Sequence, residues 1–218
     1  MKKFIDEAVI YTTSGNGGHG CVSFRREKYI PRGGPDGGDG GKGGDVIFHT
    51  DPKIKTLFDV QRKPHVKAKN GIPGMGRRKS GEGGSDVIIH LPVGCLVKDR
   101  ETGDIIVDMN KPGMTYLAAQ GGIGGRGNQH FATSVNQAPR HAQPGMPGEE
   151  REFTLELKII ADVGLVGFPN AGKSTLLKAL TRANPKIGAY PFTTLNPNLG
   201  VVHSNDFSSF IIADISAK

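Results

Sequence analysis

The sequence predicts two architectures in one chain: an all-β, glycine-dense domain over residues 1–158, followed by the opening of an α/β unit over residues 159–218. Three observations carry this division. Composition shifts sharply, since five of the 33 glycines (164, 167, 172, 188 and 200) lie beyond residue 150. Short β-branched segments alternate with turn-forming residues through the first part, which is the pattern of strands. Beyond it, the apolar run Val163-Gly164-Leu165-Val166 reads as a buried strand and Ser174-Thr175-Leu176-Leu177-Lys178-Ala179-Leu180 as a helix, with a glycine-bounded loop between them.

Taken in order, the N-terminus acquires acids (Asp6, Glu7) before any apolar region develops, which excludes a signal peptide. No apolar run approaches the ~20 residues needed to span a membrane, so a cytoplasmic protein with no membrane partner is expected. Strands are predicted at 8–12, 45–49, 86–91, 95–97 and 103–108. Asp99-Arg100-Glu101-Thr102-Gly103 reads as a hairpin turn whose glycine takes the left-handed position. Glycine-dense stretches at 31–45, 70–85 and 121–127 are embedded between these strands, which argues against flexible linkers. They keep a three-residue register only briefly, which excludes a collagen fibre, but such side-chain-free chains pack closely as extended polyproline-type helices. Residues 143–148 form a loop by their Pro and Gly content. Residues 153–160 alternate apolar and polar as a half-buried strand, so the boundary falls near residue 158.

The net charge of +7 favours an anionic partner, and most of the excess lies in the first domain. Cys21 and Cys95 are too few and too far apart for a metal motif or a disulfide framework. Both are expected to be buried thiols.

Between strand and helix, Gly167-Phe168-Pro169-Asn170-Ala171-Gly172-Lys173-Ser174 matches G-x-x-x-x-G-K-[ST] at every fixed position. The chemistry follows from the residue types. Glycines let the backbone turn its N–H groups toward α- and β-phosphates at a helix N-terminus. Lys173 would reach the β/γ-phosphates, and the Ser174 hydroxyl would ligate Mg²⁺. The motif alone does not distinguish guanine from adenine nucleotides.

Several motifs in a fixed order resemble the Obg family of ribosome-assembly GTPases. They are Cys21-Val22-Ser23-Phe24-Arg25-Arg26-Glu27-Lys28-Tyr29, Gly33-Gly34-Pro35-Asp36-Gly37-Gly38-Asp39-Gly40-Gly41, Asn70-Gly71-Ile72-Pro73-Gly74-Met75-Gly76, Ala138-Pro139-Arg140, the phosphate loop and Tyr190-Pro191-Phe192-Thr193-Thr194-Leu195. The resemblance covers essentially the whole chain. It implies an Obg fold, a small β-barrel carrying glycine-rich polyproline-type helices, followed by a truncated Ras-like GTPase domain. It also implies a cytoplasmic monomer that binds GTP or GDP and Mg²⁺ and associates with the large ribosomal subunit and its rRNA.

Under that resemblance the second threonine of the switch, Thr194, ligates Mg²⁺, with Thr193 the adjacent alternative. Phe192, Leu195 and Asn196 accompany them at the nucleotide. Asn170 occupies a position where potassium-dependent relatives place an asparagine, so K⁺ is a further candidate ion. Pro169 would obstruct an arginine finger, so slow turnover is expected. Asp214-Ile215-Ser216-Ala217 aligns with D-x-P-G at the end of a strand but has Ser for Pro and Ala for Gly. These 218 residues alone are therefore expected to hydrolyse GTP no faster than background. The guanine-reading N-K-x-D element is not among them, and guanine preference rests on the resemblance. The alternative function is a non-catalytic ribosome- or RNA-docking module. In either case the RNA contacts would be Arg25, Arg26, Lys28 and Arg32, then Arg77, Arg78 and Lys79, then Arg140, because phosphate binding scales with the number of charges neutralised.

Overall fold

The computed structural model describes residues 5–28, 33–158, 163–167, 172–181, 186–187, 198–203 and 209–216. In chain order the elements of the first domain are β1 (Glu7–Thr13), β2 (Val46–Thr50), α1 (Phe58–Arg62), β3 (His65–Lys67), β4 (Val87–Leu91), β5 (Cys95–Asp99), β6 (Ile105–Met109), β7 (Thr115–Ala119) and β8 (Glu150–Leu157), with a 3₁₀ turn at Asn128–Phe131. Those of the second are β9 (Val163–Gly167), α2 (Lys173–Thr181), β10 (Lys186–Ile187), β11 (Asn198–His203) and β12 (Ser209–Ser216).

The expected small barrel is not found among the described residues. The strands form a five-stranded sheet, β3-β1-β8-β5-β6, and a three-stranded sheet, β4-β2-β7, each with free edges. Alternation explains why two open sheets suffice. Ala8, Ile10 and Thr12 of β1 are buried while Val9, Tyr11 and Thr13 face outward, and Ile10 and Ala8 sit opposite the buried Phe153 and Leu155 of β8. Val46 and Phe48 of β2 supply the facing layer. Phe48 meets Phe153 edge-to-face, with ring centroids 5.4 Å apart at 74°, a geometry worth about 1 kcal/mol beyond area burial. Leu57 and Val60, at the start of and within α1, close one side of this core. Burial pushes the Cys95 thiol up to about 12, whereas Cys21 is only half-buried and corrects the expectation that both are enclosed.

Four strands escaped the sequence reading, β3 and β7 in the first domain and β10 and β11 in the second, and the hairpin turn did not: Gly103 has φ +76°. From the sheets projects a bundle of extended segments built around residues 36–45. Its bonds run sideways and recur at three-residue spacing. The amides of Gly38, Gly41 and Gly44 donate to the carbonyls of Met75, Ile72 and Lys69, and those of Gly40 and Gly43 to Gly125 and Gly122. Carbonyls of the same segment accept from Gly15, Gly18 and Cys21. Such contact leaves no room for a side chain. A Cβ at Gly40 would lie 1.9 Å from the Gly18 carbonyl oxygen, and one at Gly43 would lie 1.9 Å from that of Gly15.

The residues between the glycine pairs serve as braces. Asp39 accepts from the Gly127 amide at 2.7 Å, and Asp45 from the Gly121 amide at 2.7 Å. Burial opposes charge on Asp45, but Lys42 and the Gly121 amide outweigh it and hold the carboxyl below its usual range. In the second domain the four-stranded sheet has the order β10-β11-β12-β9, with β9 and β12 parallel. The buried Leu177 faces inward from α2, which packs against β9, β11 and β12. Among the described residues no helix is long and apolar enough to cross a membrane.

Candidate functional site

The phosphate-loop candidate is framed by β9 and α2, as strand and helix periodicity required. Gly167 ends the strand, Gly172 takes φ +80°, and the helix begins at Lys173 with its first turn bonded Leu176 amide to Gly172 carbonyl at 2.9 Å. A β-carbon is disfavoured at that φ, so glycine is needed where the loop enters the helix. The Lys173 Nζ reaches back to the end of β9 and donates to the Gly167 carbonyl at 2.7 Å. Ser174 occupies the first helical turn and is exposed. Phe168, Pro169, Asn170 and Ala171 lie outside the described residues, as do Phe192, Thr193, Thr194, Leu195, Asn196 and Ala217.

Strand register sets Asp214 opposite Leu165 of β9 and Ser216 opposite Gly167. The aspartate is not at the end of a strand, as alignment with D-x-P-G implied; β12 runs on through Ile215 to Ser216. The reason lies in the sequence. A proline at 216 would lack the N–H that a ladder needs, and serine retains it.

A second constellation lies on the glycine-rich projection. Arg25, Arg26, Arg77 and Arg78 line one concavity together with Phe24 and Asp36. Arg77 and Arg78 are held at φ +59° and +57°, left-handed values that cost about 1 kcal/mol or more each for residues with a β-carbon. Asp36 is what holds them. Its Oδ2 accepts from the Arg77 amide at 3.1 Å and its carbonyl from the Arg78 amide at 2.6 Å. The other carboxylate oxygen, Oδ1, is buried without a hydrogen-bond partner among the described residues. Arg25 makes a two-pronged bond to Glu27 at 2.9 and 3.0 Å, which lowers the Glu27 carboxyl through that bond and the adjacent charge. Part of the positive charge is thereby already neutralised.

Of the remaining sequence candidates, Lys28, Lys79 and Arg140 are exposed and do not line this concavity. Arg32 lies outside the described residues. The residue that organises this end was not visible in the sequence. Asn128, fully buried, accepts from the Gly37 amide at 2.9 Å and the Ser23 amide at 3.4 Å, and donates to the carbonyls of Ser23 at 3.0 Å and Pro139 at 3.1 Å. One amide side chain ties three remote segments. The signal that could have found the braces was the repeat Asp36-Gly-Gly-Asp39-Gly-Gly-Lys42-Gly-Gly-Asp45, in which every third residue is polar.

Comparison with known proteins places both regions. The family described as GTP1/OBG matches residues 5–159, and one described as 50S ribosome-binding GTPase matches residues 162–217. The chain is 58% identical over 213 residues to a GTPase Obg of Desulforapulum autotrophicum, covering 98% of this chain and 62% of that protein. Identity to the GTPase Obg of Magnetococcus marinus is 59%, covering 98% and 55%, and to that of Chlorobium chlorochromatii 55%, covering 98% and 63%. The chain thus spans less than two thirds of the length of these relatives. The match over most of the described sheets and over the phosphate-loop region identifies the chain as a member of the GTP1/OBG family.

Proposed function

We propose that this chain is the docking domain and the nucleotide-entry part of a GTP-binding, slowly GTP-hydrolysing factor that acts on the large ribosomal subunit in the cytoplasm, as a monomer. The observation that carries the nucleotide reading is the strand-loop-helix frame in which Lys173 reaches back to the Gly167 carbonyl. That bond anchors the ammonium at the strand end of the motif, where it would meet a phosphate, and the first turn of α2 adds partial positive charge nearby. Residues 167–174 would cradle the phosphates, while Ser174 and Thr194 would supply oxygen ligands to Mg²⁺. Phe192, Thr193, Leu195 and Asn196 and the segment from Asp214 to Ala217 would border the nucleotide, and Asn170 would offer its side-chain oxygen to K⁺. Mg²⁺ would supply neutralisation of phosphate charge there. The test is titration with a fluorescent GDP analogue of a protein extended to the length of its relatives. Lys173→Ala should weaken binding by about 10²-fold or more, the loss expected when a charge-assisted phosphate contact is removed. Wild-type affinity in that variant would sink the assignment.

The first domain, with its boundary near residue 158 and its glycine segments as polyproline-type helices, is proposed to meet rRNA through the arginine-lined end of the projection. The same geometry favours a second reading, docking without catalysis, because the arginines are assembled without any group from the nucleotide site. Co-sedimentation of the whole chain with large subunits across a salt series tests the contact. The combined change of Arg77, Arg78 and Lys79 to alanine should lower the salt slope by about 2 to 3 units. An unchanged slope would refute it.

A further inference from the structure

The outward face of the three-stranded sheet carries a pair of histidines that neither constellation uses. β2 and β4 run parallel and in register, with His49 directly opposite His90 and Ile47 opposite Ile88. Across β2, Thr115 and Leu117 of β7 stand opposite His49 and Ile47. Opposed residues share a face, and the alternate residues Val46 and Phe48 point into the core, so both imidazoles stand on the outer face. Their ring centroids are 5.4 Å apart and tilted by 53°. The Nδ1 atom of His49 is shielded from solvent and has no hydrogen-bond partner among the described residues.

This centroid spacing would allow two rings to share one ion. A metal bound about 2.1 Å from an imidazole nitrogen lies about 3.2 Å from the ring centroid, so a tetrahedral angle between two such ligands separates the centroids by about 5.2 Å. The observed 5.4 Å falls within 0.2 Å of that value. A 53° tilt is not a face-to-face stack, and the ion would enter from the side of the exposed His90, the half-buried His49 ring turning to bring its shielded, unpartnered Nδ1 to it. No cluster of three or more His, Cys, Asp or Glu suited to a metal occurs among the described residues. Two protein ligands and water would therefore complete the shell. Imidazole nitrogen selects zinc, nickel or copper over the oxygen-seeking magnesium and calcium.

We propose that His49 and His90 form a two-imidazole site for a divalent transition-metal ion, which would tie the edge strand β4 to β2. The test is calorimetric titration of Ni²⁺ into the nucleotide-free, untagged 218-residue chain at pH 7.5. One ion per chain with micromolar affinity is expected, weakened by about tenfold or more in His90→Asn and in His49→Asn, because the two nitrogens act as one chelate. His130→Asn should leave it unchanged. Paramagnetic Ni²⁺ should broaden the amide resonances of residues 47–50 and 88–91 first. His90 is exposed, so His90→Asn keeps the test valid even if His49→Asn fails to fold. Unchanged binding in His90→Asn, broadening centred on any other of the seven histidines, or no binding at millimolar Ni²⁺ would each overturn the proposal.

Discussion

Replacing Gly40 by alanine tests the close packing of the projection. Its Cβ would sit 1.9 Å from the Gly18 carbonyl oxygen and 2.3 Å from that carbonyl carbon. Both are backbone atoms, so no side-chain rotation relieves the clash. Ordinary contact begins near 3.4 Å, and the two segments must separate by more than 1 Å. That movement breaks the bonds that join the two segments on either side of the clash, Gly18 amide to Gly41 at 2.8 Å and Cys21 amide to Gly38 at 3.0 Å. A lost bond that leaves a buried group unpaired costs about 1 to 3 kcal/mol, so the variant should lose roughly 2 to 6 kcal/mol. Against a typical domain stability of about 5 to 15 kcal/mol, that is a large fraction. The control is Gly34→Ala, where a Cβ meets nothing within 4 Å and the expected change is within about 1 kcal/mol, with a stabilising sign. Urea denaturation followed by far-UV circular dichroism gives the global number, and amide hydrogen exchange at Gly38, Gly41, Gly43 and Gly44 gives the local one. Wild-type exchange protection and an unchanged midpoint in Gly40→Ala would refute the packing argument.

Two further outcomes rest on single side chains. Asn128→Ala leaves the Gly37 amide and the Pro139 carbonyl without this partner, while the Ser23 carbonyl keeps the Asp36 amide. It should cost about 2 to 4 kcal/mol and raise exchange at Ser23 and Gly37 ahead of the sheets, and uniform exchange across the domain would contradict it. Cys95, raised to about 12 by burial, should resist a thiol-specific reagent in the native protein while Cys21 reacts, and should react only on unfolding. Because its folded pKa lies above the unfolded value, its contribution to stability is complete below about pH 8.5 and declines as pH rises toward 12. Two equally fast thiols at pH 8 would exclude this.

Local features were legible because neighbouring residues encode them. The alternation in β1 and β8 and the left-handed glycine at 103 each needed only a few consecutive residues, and the phosphate loop was complete within eight. Pairing was not legible. β1 bonds to β8 with Glu7 opposite Glu156, and nothing in either segment names the other, so two open sheets could not be told from a barrel. β3 has three residues, too few for a period, and β7 is a short run of Thr115-Tyr116-Leu117-Ala118-Ala119 with two alanines that dilute the strand signal. Asn128 eluded sequence reading for the same reason as the sheet order: its partners lie in segments about ten, ninety and more than a hundred residues away.

The lateral bonds around residues 36–45 also set a rule for how this projection changes length. Each glycine pair faces a particular carbonyl on several neighbouring segments, and the pattern repeats every three residues. Inserting one or two residues in the central segment would swing Asp39, Lys42 or Asp45 into positions where a Cβ has no space. Only triplets preserve the register, and a triplet added to the centre demands matching triplets in the segments around it. The projection is therefore built in discrete increments, so its reach from the sheets is a fixed dimension that neither gradual insertion nor drift in a single loop can adjust.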